Sequence, residues 1–209
     1  MGGCDTAVVL LFDVSLSMKA TDVAPDRLTA ARQASKSFAD RLPKQTRLGL
    51  IEFAGATTEL VTPTTDRETF KAGLDRLELA ERTATGEGIF TALSSIRNLA
   101  PGDLPSRPAR IVLLSDGKQT VPMSLDDSRG GYTASREANR ANVHVSSIAL
   151  GTDQGTVEVP EVSGPNSLVR VPVDHPSLRE IARLSGGSFY AAASLDDLNK
   201  AFDDLTCHR

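Results

Sequence analysis

The chain has 209 residues, of which 40% are hydrophobic and 24% charged, with a formal net charge of −4. That is enough apolar material for one packed domain, and it excludes a disordered polyelectrolyte. No basic cluster exceeds two neighbouring residues and no apolar stretch reaches the ~20 residues that span a bilayer, so neither nucleic-acid binding nor a transmembrane helix is expected within these residues.

Met1 to Asp5 carries no basic region and does not read as a signal peptide. Ala7 to Phe12 is nearly all apolar, as a strand buried on both faces should be. Pro25 and Asp26 are start signals for a helix over Arg27 to Arg41, whose apolar stripe runs through Leu28, Ala31, Ala34 and Phe38. Arg47 to Phe53 reads as a second buried strand. Thr58 to Thr62 alternates and suits an edge strand. Helices are expected over Arg67 to Leu77, capped by Asp66, and over Ile89 to Leu99. Pro101 to Pro108 reads as a connecting loop.

Ala109 to Leu114 and Val143 to Leu150 are further buried runs, separated by a helix over Thr133 to Ala141. Gly151 to Asp174 breaks the rhythm with two short β-like runs, Thr156 to Val159 and Leu168 to Val173, and reads as a β-hairpin excursion. Ser177 to Leu184, a short strand at Ser188 to Ala192, and Leu195 to Leu205 complete the pattern. Ser194 with Asp197 is close to a capping box. Buried strands alternating with amphipathic helices imply an α/β fold: a Rossmann-like, doubly wound, mostly parallel six-stranded sheet with helices on both faces. A single domain is expected over 1–209, with its core over about residues 7–205.

In such a sheet ligands bind at the carboxyl ends of the strands. The first strand ends in Asp13-Val14-Ser15-Leu16-Ser17 and the fourth in Ser115-Asp116-Gly117. If the first and fourth strands are neighbours, Asp13 and Asp116 face each other across one crevice, with the hydroxyls of Ser15 and Ser17 beside them. Carboxylates and hydroxyls, with no Cys or His, are hard oxygen donors that suit Mg²⁺, Mn²⁺ or Ca²⁺ rather than Zn²⁺.

An Asp-x-Ser-x-Ser after a buried strand, a threonine in a later loop and Ser-Asp-Gly after another buried strand resemble the von Willebrand factor type A domain and its metal-ion-dependent adhesion site. The likeness covers roughly Ala7 to Leu205 and is strongest to the bacterial membrane-anchored branch. It maps Asp13, Ser15, Ser17 and Asp116 onto the site. Bacterial members often read Gly-Thr-Ala-x-Gly-(Asp/Glu) in the threonine loop, which selects Thr83 in Arg82 to Glu87 and leaves Thr85 as the weaker candidate; Arg82 stands where glycine is common. The resemblance implies a non-catalytic module. In it the serines and the threonine touch a bound Mg²⁺, the aspartates act largely through water, and an open position takes an Asp or Glu carboxylate of a protein partner. It also implies an extracytoplasmic domain, reaching a membrane only through flanking segments.

Other polar residues have plainer readings. Glu87 suits a first helical turn, Asp22 and Asp26 a loop and a cap, and Asp126-Asp127 a solvated loop. His144, His175 and His208 are scattered and read as structural. The alternative to a binding module is a Mg²⁺-dependent phosphatase of the haloacid dehalogenase type, which also places an aspartate after its first strand. That chemistry needs a second acid two residues on, and here the position is Ser15. Some von Willebrand A domains are closed by a terminal bridge, and the resemblance makes Cys4 and Cys207 a candidate disulfide; two unrelated thiols near the ends are the other reading.

Overall fold

A computed structural model describes residues 7–99, 109–160 and 165–206. Strand β1 (Ala7–Asp13) is followed by helix α1 (Arg27–Arg41), strands β2 (Arg47–Phe53) and β3 (Thr57–Thr64), and helices α2 (Arg67–Asp75) and α3 (Thr85–Arg97). Next come β4 (Arg110–Ser115), α4 (Gly131–Arg140) and β5 (His144–Leu150). Two short strands, β6 (Thr156–Val159) and β7 (Ser167–Arg170), precede α5 (His175–Ser185), β8 (Phe189–Ala192) and α6 (Leu195–Leu205). The main sheet has the order β3-β2-β1-β4-β5-β8. All its pairings are parallel except that of β3, which runs antiparallel along the edge of β2.

All seven residues of β1 are buried, because the strand has a neighbour on each side and helices over each face. Its pleat sends alternate side chains into two cores. Val8, Leu10 and Phe12 pack with α1, α2 and α6, where Phe38 and Phe202 stack with ring centroids 4.5 Å apart. Val9 and Leu11 pack with Ile89 and Leu93 of α3 and with Leu178 and Ile181 of α5. The chain leaves β1 for β2 on one side, while β4 flanks β1 on the other. The crevice between the β1 and β4 loops is therefore the switch point of the sheet.

The helix starts follow local chemistry. Asp26 accepts the Thr29 amide at 2.7 Å, Asp66 caps α2, and Asp174 accepts the Ser177 amide. Ser194 accepts the Asp197 amide at 3.1 Å, while the Asp197 carboxylate returns to the Ala193 amide. Three elements differ from the sequence expectation by more than two residues at an end. A one-turn 3-10 helix, Leu16–Lys19, follows β1 directly and buries Met18. Helix α3 begins at Thr85 instead of Ile89, since Gly86 and Gly88 are weak helix formers that hide its first turn in the sequence. Strand β7 ends at Arg170, because the Val171 carbonyl turns inward to accept from Arg27 at 3.0 Å. Cys4, Cys207 and His208 lie outside the described residues, as does the segment 101–108.

Candidate metal centre

Asp13 is the last residue of β1 and is wholly buried. One carboxylate oxygen accepts the Ser15 amide at 2.8 Å, and the other accepts the Ser115 hydroxyl at 2.6 Å. Ser115 ends β4, and its oxygen in turn accepts the Gly117 amide at 2.8 Å. The Asp13 carboxylate therefore ties the β1 loop to the β4 loop. The hydroxyls of Ser15 and Ser17 are 2.9 Å apart, so the tight turn after β1 brings both oxygens to one point. Gly117 has a φ of 89°, a left-handed conformation that lets the chain turn sharply after Asp116. A Cβ there would meet the Asp174 carbonyl at 2.8 Å.

Asp116 is 2% exposed and has a partner that the sequence reading missed. Arg27, the first residue of α1, is completely buried, and its guanidinium approaches the Asp116 carboxylate at 3.2 Å. The same guanidinium grips Asp22 through two hydrogen bonds of 2.8 and 2.7 Å. Asp22 also accepts the amide and the hydroxyl of Thr152, at 2.7 and 2.9 Å. Asp22 is thus no free loop residue: it anchors a buried cation beside Asp116. Gly151, with a φ of 122°, makes room for that cation, since a Cβ there would lie 2.4 Å from Arg27 Nε. Burial alone would raise the Asp22 carboxyl. The bonds from Arg27 and Thr152, with the Arg27 charge, outweigh it and hold that carboxyl below its ordinary value.

Burial, and then the neighbouring Asp116 charge, push the Asp13 carboxyl upward. Burial also raises Asp116, against the Ser17 hydroxyl and the Arg27 charge. Two buried carboxylates with incomplete compensation form a place where a further positive charge is favourable.

Thr83 reaches the same crevice from the loop before α3. Its amide donates to the Thr120 hydroxyl at 2.8 Å, and its carbonyl accepts the amides of Thr120 and Val121. That ladder fixes the threonine loop against the segment after β4. Ser15, Ser17, Thr83 and Asp116 together line one cleft of about 250 Å³, with Asp13 hydrogen-bonded to Ser15 behind them. Thr85 does not line this cleft. It opens α3, and its buried hydroxyl has no hydrogen-bond partner among the described residues.

Arg82 has a φ of 72°, a left-handed conformation that glycine adopts without steric cost, in keeping with the glycine that the resemblance leads one to expect here. Arg82→Gly should hold or raise stability by up to about 1 kcal/mol, whereas the β-branched Arg82→Val should lower it by about 1–2 kcal/mol. Urea midpoints ranked in any order that puts Val above Gly would contradict the strained backbone.

Among the described residues there is no cluster of three or more His, Cys, Asp and Glu suited to a metal. The crevice offers two carboxylates and three hydroxyls instead, an all-oxygen set that could hold a hard divalent cation. Several other polar residues have partners of their own away from the crevice. Glu87 pairs with Arg129, Asp126 pairs with Arg136 at 2.8 Å, and the His144 ring meets the Ser185 carbonyl at 3.0 Å. His175 opens α5 and packs edge-on against Phe189.

Comparison with solved structures places this fold beside two bacterial proteins. One is the conserved hypothetical protein BatB of Bacteroides thetaiotaomicron, 22% identical, with 96% of each chain covered and a TM-score of 0.79. The other is an aerotolerance-related membrane protein of Bacteroides fragilis, also 22% identical over 96% of each chain, with a TM-score of 0.77. A mussel byssus thread matrix protein, solved with a zinc-occupied MIDAS motif, is 18% identical over 97% of this chain and 45% of its own, with a TM-score of 0.66. Among curated sequences, a UPF0353 protein of Nocardia farcinica is 53% identical over 95% of this chain. A second, from Mycolicibacterium gilvum, is 52% identical over the same share. The chain spans 61% and 58% of the length of these two relatives. No helix among the described residues is long and apolar enough to cross a membrane. The family model for the von Willebrand factor type A domain matches residues 8–119, more than half of the 209. The chain belongs to the von Willebrand factor type A family, whose members often mediate metal-dependent protein interactions.

Proposed function

We propose that the protein binds one divalent cation, by preference Mg²⁺, among Asp13, Ser15, Ser17, Thr83 and Asp116, and with it holds an Asp or Glu carboxylate of a protein partner. The observation that carries this reading is the single cleft lined by Ser15, Ser17, Thr83 and Asp116, with the Asp13 carboxylate bonded behind it. When bound, the cation supplies positive charge and a coordination position for an incoming carboxylate. Asp13 holds the Ser15 amide and the Ser115 hydroxyl and so orients both loops. Ser15, Ser17 and Thr83 offer neutral oxygens, which leave a cation's charge available to a ligand. Asp116 contributes a carboxylate whose charge is shared with Arg27.

This is a binding module and not a phosphatase: Ser15 stands two residues after Asp13, where a haloacid dehalogenase mechanism needs a general acid. Steady Mg²⁺-dependent turnover of a generic phosphoester, lost in Asp13→Asn, would reverse that choice. In the longer protein we place this domain outside the cytoplasm, tethered by segments beyond this chain. A membrane protein of Bacteroides fragilis shares the fold, which fits the membrane tether; the side of the membrane follows from the family resemblance alone.

Titration calorimetry with Mg²⁺, Mn²⁺, Ca²⁺ and Zn²⁺ should show one site that prefers Mg²⁺ or Mn²⁺. Thr83→Ala should weaken Mg²⁺-dependent capture of an Asp-containing peptide by about tenfold, the worth of one charge-assisted contact, while changing metal affinity less. Thr85→Ala should be milder. The opposite ranking of the two threonines would show that the register of the loop is misassigned.

A further inference from the structure

The rim of the cleft is basic, against the trend of the chain. The sequence carries 27 acidic residues against 23 Lys and Arg, yet Arg82, Lys118 and Arg170 all line this one cleft, and among the described residues Asp116 is its only lining carboxylate. Among the described residues, none of the three cations meets a carboxylate within ion-pair distance. Arg170 is held in place by neutral acceptors, donating to the Asp153 carbonyl and the Gln154 side chain, both at 3.0 Å. Arg82 keeps its place in spite of a left-handed backbone, φ 72°, where glycine would be easier. Strain retained at a binding cleft points to a use for the side chain.

The three cations come from three separate places: the threonine loop, the segment after β4 and the end of β7. They surround a cleft of about 250 Å³, smaller than the ~300–1,000 Å³ typical of small-molecule pockets. That size suits side-chain tips of a partner. Two apolar residues of the wall, Leu16 and Val169, are 47% and 44% exposed, which favours a peptide with apolar groups over a bare anion or a lipid headgroup.

We infer that the cleft takes its acidic residue from an acid-rich segment of a protein partner: one carboxylate faces the metal centre, and neighbouring Asp or Glu side chains pair with Arg82, Lys118 and Arg170. The inference rests on the metal-centre reading for its first carboxylate, and on the rim alone for the others. The rim selects which acidic residue is accepted, since an isolated Asp satisfies only the cation, and burying unpaired rim charges against an apolar partner is unfavourable.

Fluorescence anisotropy of the 209-residue chain with two labelled peptides tests this. One peptide carries a single Asp among Gly and Ser; the other carries Glu-Glu-Asp-Glu-Leu between glycines. In Mg²⁺ at low salt the acid-rich peptide should bind about tenfold more tightly, as two or three exposed ion pairs allow. Raising the salt should shrink that preference. The combined variant Arg82→Gln, Lys118→Gln, Arg170→Gln should bind the two peptides equally. Mg²⁺-dependent binding of both peptides with equal affinity by the unsubstituted chain would overturn the rim inference while leaving the metal centre standing. A tenfold preference that persists in EDTA and vanishes in the triple variant would support the rim and count against the metal centre. Binding of neither peptide, or tighter binding to phosphatidylserine vesicles than to the acid-rich peptide, would overturn the inference.

Discussion

Arg27→Met is expected to cost about 3–5 kcal/mol of folding stability, because it removes one partner from a buried charge network and leaves the others uncompensated. The guanidinium is fully buried between Asp22 and Asp116, and it also donates to the Val171 carbonyl. Its loss would leave two carboxylates with side-chain exposures of 9% and 3% beside an unpaired carbonyl. Urea unfolding at constant m-value measures the effect. Asp22→Asn combined with Arg27→Met should cost less than the sum of the two single changes, since the residues act as one unit. A loss below about 1 kcal/mol for Arg27→Met would mean that the pair is solvated and the network is not a structural anchor. The low carboxyl of Asp22 adds a pH dependence. Its folded value lies below the unfolded value of about 3.9, so its contribution is complete above that pH and disappears as the pH falls through the folded value.

Asp13→Asn should lower Mg²⁺ affinity about 100-fold, the upper end of what loss of an orienting carboxylate costs a metal site. The same variant should change the stability of the metal-free protein by only about 1 kcal/mol. It weakens the hydrogen bond from Ser115, worth about 1 kcal/mol, but removes a buried charge close to Asp116. Thermal unfolding separates the two effects. The original chain should gain about 2.7 kcal/mol at a Mg²⁺ concentration 100 times its Kd, and the variant should gain almost nothing at that concentration. A variant that keeps the Mg²⁺-induced gain would show that Asp13 is only a structural cap.

The sheet and the six α-helices of the described residues were legible, apart from the first turn of α3, because their signals are local. Helix α1 carries its own cap, Asp26, and its own apolar stripe, and it spans Arg27–Arg41 as the pattern implies. The gathering of Asp13, Ser15, Ser17 and Asp116 at one edge was legible because Asp13 and Ser115-Asp116 close buried apolar runs and the serines follow in the turn after the first, where sites form in such sheets. The sequence reading failed where partners are distant. Arg27 looks like an ordinary first-turn residue, yet it meets Asp116 89 positions away and Val171 144 positions away. The sequence holds only a faint sign of this in Gly151 and Gly155, whose Cβ positions the guanidinium and the Asp22 carboxylate occupy. Arg82 was visible as a departure from the expected glycine, but only the backbone angle shows that the departure is strained. The first turn of α3 was hidden because Gly86 and Gly88 obscure its helical periodicity.

The most direct test is to find where a paramagnetic ion sits. Substoichiometric Mn²⁺ added to the isotopically labelled protein should first broaden the amide resonances of Asp13 to Met18, Thr83, Asp116 and Gly117, and excess Mg²⁺ should restore them. Broadening that begins elsewhere, for example at the exposed acidic pair Asp126-Asp127, while these amides stay sharp, would contradict a metal centre at the carboxyl edge of the sheet.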